Sequence, residues 1–185
     1  MIHAPELAAY VWHPVWPAAW AVLGVLTAQR LLELVYARRN TKALTARGAV
    51  EHGKKHYPLM VAIHAGFLLA LWLSTSPDAP MLWPLLLVFA ALQAARLWVL
   101  ATLGPYWTTR IISSPDFPRI TKGPYRIVSH PNYWVVTLEI LTIPLIFGHL
   151  QIAALWTVLN AGILFVRIRT ENDALMRRTA RKPVA

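Results

Sequence analysis

The sequence predicts an all-α integral membrane protein that forms a single membrane domain over residues 1–185. Hydrophobic residues make up 57% of the chain and charged residues only 14%, whereas a soluble domain carries about 25% charged residues. Apolar runs of about 20 residues, the length that a helix needs to cross a bilayer, recur along the chain. Together these features predict about five transmembrane helices.

The apolar segments differ in length, and the last two are the shortest. The predicted spans cover residues 16–36, 58–75, 82–102, 133–147 and 150–166. Only Gly148 and His149 separate the last two, so we predict a tight helical hairpin that either crosses the membrane and returns or is re-entrant. Residues 104–132 form a polar loop, and residues 167–185 form a C-terminal segment.

The distribution of basic residues predicts the orientation of the chain. Apart from Arg30 and Arg96 within the spans, lysines and arginines lie in residues 38–57, in residues 104–129 and in the tail from Arg167, whereas residues 1–15, 74–81 and 148–149 contain none. Because cytoplasmic loops are enriched in Lys and Arg, the N-terminus is predicted outside and the C-terminus inside the cytoplasmic membrane. An odd number of spans satisfies this arrangement.

The formal net charge of +10 does not indicate nucleic-acid binding here. The basic residues lie in short segments beside apolar spans, where they set the orientation and contact anionic membrane lipids. Cysteine is absent, which excludes disulfides, thiolate catalysis and Cys-ligated zinc. His52 and His56 are spaced i,i+4 but have no evident third ligand, so no metal site is predicted.

Charged and polar residues within the spans are candidates for function. Arg96 lies in the third span and Glu139 in the fourth, each about 10 Å from the cytoplasmic end. An unpaired charge at that depth is expensive, so we predict that the two pair, either lining a substrate cavity or forming a buried strut. Arg30 and Glu33, spaced i,i+3, are interpreted as an ordinary helix-stabilising pair. His64 is expected to form a hydrogen bond across helices.

The polar loop carries the most informative motif. Residues 123–125 read Gly-Pro-Tyr and residues 130–133 read His-Pro-Asn-Tyr, and their prolines indicate an ordered loop. Pro131 suits the first position of the next helix, whose free amides favour an anionic group. Further on, Arg167 and Glu171 are four residues apart and therefore share one helical face.

Together these segments resemble the isoprenylcysteine carboxyl methyltransferase family. Its pattern is Gly-x-Tyr, then Arg-His-Pro-x-Tyr, and later Arg-x-x-x-Glu-Glu at the end of the last helix. The matching residues are Gly123, Tyr125, His130, Pro131, Tyr133, Arg167 and Glu171. Ser129 and Asn172 depart from the pattern. Over residues 28–175 the chain looks like a bacterial branch that is associated with type III polyketide synthases and O-methylates alkylpyrone-like products.

The resemblance implies that the cofactor is S-adenosylmethionine, enclosed between the loop and the C-terminal segment. It assigns cofactor contacts to Arg110, Phe117, Pro118, Arg119, Ile120, Tyr125, His130, Pro131, Asn132, Tyr133 and Glu171. It assigns to Arg167 the catalytic role of holding the substrate near the transferred methyl. Arg96 and Glu139 join Arg167 as candidate substrate-binding residues because of their depth in the membrane.

The implied activity is that of a membrane O-methyltransferase acting on a lipophilic carboxylate or acidic enol. The substrate enters from the bilayer and the cofactor from the cytoplasm. Methyl transfer is an in-line displacement that depends on alignment in a desolvated site, and Arg167 suits an ionised oxygen through its planar fork. The resemblance also implies a functional link to a type III polyketide synthase.

Three other functions stay open from the sequence. A phospholipid amine N-methyltransferase keeps the fold, but an amine prefers a carboxylate to Arg167. A membrane sterol-type reductase needs more basic contacts to a dinucleotide than this loop offers. A non-enzymatic membrane scaffold leaves the tyrosines, histidine and charges of the two segments unexplained.

Overall fold

The computed structural model describes residues 9–14, 16–114 and 116–180, with the side chains of residues 177–180 excepted. Its helices are α1 (Ala18–Ala46), α2 (Tyr57–Ser74), α3 (Trp83–Leu103), α4 (Pro131–Ile146) and α5 (Leu150–Ala180). Within these described residues, four helices are long and apolar enough to cross a membrane, and α4, with 16 residues, is a shorter apolar helix. The chain is an all-α integral membrane protein, as predicted.

Hydropathy locates the middle helices better than the outer ones. α2 and α3 begin and end within one residue of the predicted spans. α1 continues past Tyr36 to Ala46, and α5 continues past Val166 to Ala180. The predicted spans end at Tyr36 and Val166, and the charged stretches that follow extend the same helices beyond the spans, as expected for Arg167 and Glu171 on one helical face.

The helices form a ring in the order α1, α2, α5, α4, α3. α4 packs along both α3 and α5, and α2 packs along α5 and against α1. Asn40 of α1 closes the ring, since its Nδ2 donates to the carbonyl oxygens of Gly104 and Trp107 at 3.1 and 2.9 Å. Apolar side chains remain exposed on the outer faces, as contact with lipid requires, among them Leu69, Leu73, Leu87, Leu97 and Val158.

The predicted hairpin between the last two helices is confirmed. α4 and α5 pack side by side and are joined by residues 147–149. Gly148 takes a positive φ of 76°, which lets the chain reverse there without the strain that a Cβ would bring. His149 Nε2 lies 3.0 Å from Thr75 Oγ1, so the turn is held to the end of α2.

Two short antiparallel ribbons were not predicted from the sequence. β1 (Val11–Trp12) pairs with β3 (Met81–Leu82), and β2 (Val50–His52) pairs with β4 (Ile111–Ser113). Strands of two or three residues are too short to show the alternation by which strands are recognised. Regions predicted as plain loops therefore contain paired backbone.

The two ribbons mark the two ends of the bundle. The β2–β4 ribbon contacts α5 and defines the end formed by residues 47–56, 104–130 and 167–176, which we call the basic end. The opposite end consists of residues 9–14, 75–82 and 147–149, and these described residues include no Lys or Arg. The connections that contain Lys and Arg thus lie at one end of the bundle, and the described connections without them lie at the other.

Candidate active site

A buried group of charges links three helices inside the ring. Arg96 of α3 contacts Glu139 of α4 twice, with Nη2–Oε2 at 2.9 Å and Nε–Oε1 at 3.3 Å. Only 5% of the Arg96 side chain and 4% of the Glu139 side chain are exposed. The predicted pairing is confirmed. Because protein encloses both side chains, their contact with substrate stays a prediction.

Arg30 and Glu33 belong to this same buried group. Arg30 donates to Glu33 Oε2 at 2.8 Å and to Glu139 Oε1 at 2.9 Å. Arg96 Nε also lies 3.5 Å from Glu33 Oε1. The predicted i,i+3 pair of Arg30 and Glu33 is confirmed, but the interpretation that it stabilises α1 alone is wrong, because both residues also contact charges of α3 or α4. We call Arg30, Glu33, Arg96 and Glu139 the charge cluster, in which two cations balance two anions.

The charge cluster reaches the first turn of α4 through Asn132. Arg96 Nη1 donates to Asn132 Oδ1 at 3.2 Å. Pro131 begins the helix and is buried, and the Tyr133 amide closes the turn on the His130 carbonyl at 3.1 Å. The cluster therefore holds the turn that carries His130 and Tyr133.

Glu171 of α5 is the acceptor at the centre of the candidate site. The Tyr133 hydroxyl donates to Glu171 Oε2 at 2.6 Å, and His130 Nδ1 lies 3.5 Å from the same oxygen. The His130 and Tyr133 rings stack, with 5.3 Å between centroids and 18° between planes. The hydrogen bond to Glu171 raises the pKa of the His130 imidazole, against the smaller opposing effect of burial. The loop and the last helix thus meet at three predicted residues.

Arg167 lies one helical turn before Glu171 and points into the bundle. It is 5% exposed, and its Nη2 donates to the Thr109 carbonyl at 3.1 Å. Its guanidinium carbon lies 5.8 Å from the centroid of the Tyr133 ring. Tyr133 therefore contacts both the cation and the anion of the Arg167–Glu171 face.

The β2–β4 ribbon braces the backbone that Arg167 binds. Arg110 Nη1 contacts Glu51 Oε1 at 2.5 Å, and its guanidinium lies 4.1 Å from the centroid of the Tyr57 ring. The Tyr57 hydroxyl lies 3.0 Å from Thr109 Oγ1. Arg110 thus forms part of the wall beside Arg167, and its predicted cofactor contact stays a prediction. The sequence analysis assigns no role to Tyr57 or Thr109, because it does not predict the β2–β4 pairing beside which these two residues meet.

Tyr125 belongs to the part of the polar loop that precedes His130. Its ring packs against a small buried cluster that includes Val99 and Trp107. Burial, and then the charge of Glu171, raise the pKa of the Tyr125 phenol, so its hydroxyl stays protonated. Gly123 has φ +58°, and a Cβ there would approach Thr102 Oγ1 to 2.6 Å, which explains why this close turn uses glycine.

The segment 117–120 is less open than the resemblance implied. The Phe117 side chain is 6% exposed and packs with Leu44 and Ala49, with its ring centroid 5.4 Å from that of Tyr106. Phe117 is therefore closed to a ligand in this structure, and its predicted cofactor contact stays a prediction. Pro118 and Arg119 are exposed and Ile120 is half-buried, and their cofactor contacts stay predictions.

His64 does not form the cross-helix hydrogen bond that was expected. Its Nδ1 lies 2.8 Å from the carbonyl oxygen of Met60, four residues earlier in α2. The expectation is wrong because a carbonyl of the same helix is already within reach. The other ring nitrogen, Nε2, is thereby left available.

The donors and acceptors of the site fit a ligand that carries both a positively and a negatively charged group. Glu171 directs Oε2 to Tyr133 and His130, and Oε1 has no hydrogen-bond partner among the described residues. The Glu171 side chain is 31% exposed, so that oxygen can accept from an ammonium or from hydroxyls. The flat faces of Tyr125 and Tyr133 suit an adenine or a sugar.

These features define a polytopic membrane protein with a polar ligand site at one end of an apolar bundle. The sequence profile of the Isoprenylcysteine carboxyl methyltransferase (ICMT) family matches residues 85–177, which include most of α3, the polar loop, α4 and the Arg167–Glu171 face. The chain belongs to this family, whose members are membrane methyltransferases that use S-adenosylmethionine.

Two relatives resemble most of the chain. The uncharacterized protein YpbQ of Bacillus subtilis (strain 168) is 39% identical over 160 residues, which cover 84% of this chain and 95% of that protein. An uncharacterized protein of Haemophilus influenzae is 26% identical over 157 residues, which cover 81% of this chain and 90% of that protein. No solved structure matches the chain.

Proposed function

We propose that this protein is an S-adenosylmethionine-dependent O-methyltransferase of the cytoplasmic membrane. Its acceptor is a carboxylate or acidic enol on a lipophilic molecule, either alkylpyrone-like or an isoprenoid acid. The observation that carries the proposal is the Arg167–Glu171 face of α5. On this face the Arg167 guanidinium lies over the ring of the predicted cofactor residue Tyr133, and the partly exposed Glu171 carboxylate accepts from its hydroxyl.

The residues of the basic end fit the proposed cofactor. Glu171 Oε1 would accept from its ammonium or ribose hydroxyls, and His130 and Tyr133 would hold the Glu171 carboxylate in place. Tyr125 would offer a ring face and a neutral hydroxyl. When bound, S-adenosylmethionine supplies a methyl group on a positively charged sulfur.

The protein's own contribution is alignment and exclusion of water. Arg167 is held by the Thr109 carbonyl and faces the interior of the bundle, so it would orient an acceptor oxygen beside Tyr133. An ionised carboxylate or acidic enol needs no strong base, and its nucleophilicity rises when water is removed. Holding the acceptor oxygen in line with the methyl and the sulfur would then supply most of the rate enhancement.

The proposed orientation places the basic end in the cytoplasm and the N-terminus outside. It follows from the Lys and Arg content of the two ends under the positive-inside rule. With this orientation a soluble cofactor reaches Glu171 from water, while an apolar acceptor reaches Arg167 through the bilayer. The functional link to a type III polyketide synthase is proposed as the source of such acceptors.

A phospholipid amine is a poorer acceptor for the same site. Arg167 is a buried cation, and an amine that must approach it would meet electrostatic repulsion. The acidic acceptor is therefore preferred.

Transfer of a radiolabelled methyl group tests the proposal directly. Purified protein in detergent is given labelled S-adenosylmethionine and one of three probes: a long-chain 4-hydroxy-2-pyrone, a long-chain carboxylic acid or phosphatidylethanolamine. The proposal expects label in the pyrone or the acid and none in the phospholipid. Label in the phospholipid alone would replace the acidic acceptor with an amine.

A further inference from the structure

The first turn of α4 carries Tyr133 and follows His130, but it has no side-chain cap of its own. Among the described residues, no side chain forms a capping hydrogen bond at this helix start. Pro131, at the first helical position, has no N–H to donate. A first turn without a cap is weakly held, because its amides lack acceptors within the helix. The position of this turn therefore depends on contacts with the neighbouring helices.

The contact with α3 is made through Asn132. Asn132 and Glu139 are seven residues apart, so both lie on the face of α4 that meets Arg96. The planar guanidinium joins them, since Nη1 donates to Asn132 Oδ1 at 3.2 Å and Nη2 donates to Glu139 Oε2 at 2.9 Å. Glu139 also accepts from Arg30 and Gln93, so the guanidinium is fixed on one side while it holds the turn on the other.

A second polar contact joins the same turn to α5. Thr137 Oγ1 donates to the Tyr133 carbonyl oxygen at 2.9 Å and accepts from Asn160 Nδ2 at 3.2 Å. Asn160 is fully buried. The start of α4 is thus tied to α3 on one face and to α5 on another, which fixes both its position and its rotation.

Asn132 and Tyr133 have different neighbours although they are adjacent in the chain. Successive residues of a helix project about 100° apart, so the two side chains face different helices. The Tyr133 hydroxyl donates to Glu171 Oε2 at 2.6 Å, whereas the Asn132 amide oxygen accepts from the buried Arg96. Asn132 therefore contacts the support of the turn, and Tyr133 contacts the carboxylate of the candidate site.

We infer that Asn132 is a positioning residue, which couples the charge cluster to the turn beside His130 and Tyr133 and so sets the affinity for S-adenosylmethionine. The inference rests on the proposed function, and it assigns the charge cluster to the cofactor site rather than to the acceptor. A ligand that must order its own site binds more weakly than one that meets the site already in place. Loss of the contact between Asn132 and Arg96 should therefore weaken cofactor binding.

Two substitutions of Asn132 separate positioning from direct contact with the cofactor. Asn132→Ala removes the acceptor of Arg96 Nη1, and the Kd for S-adenosylmethionine should rise about tenfold, as for loss of a hydrogen bond to a charged group. Asn132→Asp keeps an acceptor oxygen for Arg96 and removes the amide donor, so its Kd should stay within about threefold of the wild type. A cofactor contact made by the amide would instead be lost in both variants.

A double-mutant cycle tests whether Asn132 acts through Arg96. The variant Arg96→Met with Glu139→Leu keeps the charges balanced and removes the donor to Asn132, so its Kd should also rise about tenfold. Adding Asn132→Ala to this variant should change the Kd by less than about twofold, because the contact is already lost. Losses that simply multiply would overturn the coupling.

Gln29→Ala is the matched control. Gln29 Nε2 donates to Glu33 Oε1 at 3.1 Å, so this substitution removes an amide that is bonded to the charge cluster within α1 rather than at the start of α4. Its Kd for S-adenosylmethionine should equal that of the wild type.

Steady-state kinetics add a readout that a loss of stability would not produce. Asn132→Ala should raise KM for S-adenosylmethionine about tenfold, in line with its Kd. Its kcat at saturating cofactor, per folded protein, and its KM for an ionised long-chain acceptor should change less than about threefold.

The outcomes separate this inference from the proposed function. An unchanged Kd in Asn132→Ala, an equal rise in Asn132→Asp, or a rise in the acceptor KM alone overturns the positioning role while the methyltransferase stands. If Arg96→Met with Glu139→Leu does not fold, the single variants of Asn132 and Gln29 still decide between these results. A folded wild type that binds no S-adenosylmethionine overturns the proposed function and the inference with it.

Discussion

Replacing Arg167 with alanine is expected to reduce methyl transfer by about 1000-fold and to change S-adenosylmethionine affinity by less than about threefold. Arg167 is buried, is held by the Thr109 carbonyl and faces the interior of the bundle, where the acceptor oxygen would lie. Its loss removes the cation that orients this oxygen, but it leaves Glu171 and its partners in place. Steady-state kinetics with an ionised acceptor and equilibrium binding of the cofactor measure the two effects separately.

Arg169→Ala provides a matched control for this substitution. It removes the same charge two residues further along α5, but Arg169 is exposed and lies 4.1 Å from the centroid of the Phe165 ring. Its activity should stay within about twofold of the wild type, as for a surface change. If Arg167→Ala weakens cofactor binding as much as it slows transfer, Arg167 belongs to the cofactor site and the proposed role is wrong.

Replacing Glu139 with leucine is expected to destabilise the fold by about 3–5 kcal/mol. Glu139 accepts hydrogen bonds from Arg30 and Arg96, and it also accepts from Gln93 Nε2 at 2.8 Å. The substitution leaves one more buried cation than anion in the charge cluster. Reversible unfolding in mixed micelles, followed by circular dichroism, measures the change.

The double variant Arg96→Met with Glu139→Leu tests whether charge balance is the cause. It leaves Arg30 with Glu33, which are 2.8 Å apart and neutralise each other. We expect the double variant to be more stable than Glu139→Leu alone, because no unpaired charge remains. If the two losses simply add, the side chains act by packing and the electrostatic account of the cluster is wrong.

Hydropathy predicts the membrane spans well because lipid imposes one simple requirement on every spanning helix. The bounds of α2 and α3 follow from apolar length alone. Beyond Tyr36 and Val166, α1 and α5 continue as charged helix, which depends on helix propensity and on contacts with the polar loop. Apolar length predicts the spans and does not report these continuations.

The ribbons and the charge cluster depend on contacts between distant parts of the chain. The pairing of Glu51 with Ile112 leaves no recognisable pattern in the nearby sequence, because neither strand is long enough to show an alternation of polar and apolar residues. The inward position of Arg30 and Glu33 did have a signature. They continue the heptad spacing of the buried residues Leu23, Leu26, Ala37, Asn40 and Leu44 along α1.

The candidate site also has one part that the sequence predicts and another part that depends on contacts between distant segments. The approach of His130 and Tyr133 to Glu171 was implied by a motif whose members lie far apart in sequence. The wall formed by Tyr57, Thr109 and Arg110 depends on the β2–β4 ribbon and could not be predicted before that ribbon was seen. The burial of the Phe117 ring likewise depends on the extension of α1 to Leu44.

Binding of S-adenosylmethionine to the purified protein tests the central claim most directly. The wild type should bind saturably with a Kd on the order of micromolar, a free energy of about −8 kcal/mol. Glu171→Ala should weaken binding at least about tenfold, because the ammonium or hydroxyls lose a charged acceptor, and His130→Ala should weaken it in the same direction. Asp173→Ala, which removes an exposed carboxylate two residues away, should have no effect. Absence of binding at millimolar cofactor by folded protein, or equal binding by wild type and Glu171→Ala, would contradict the account.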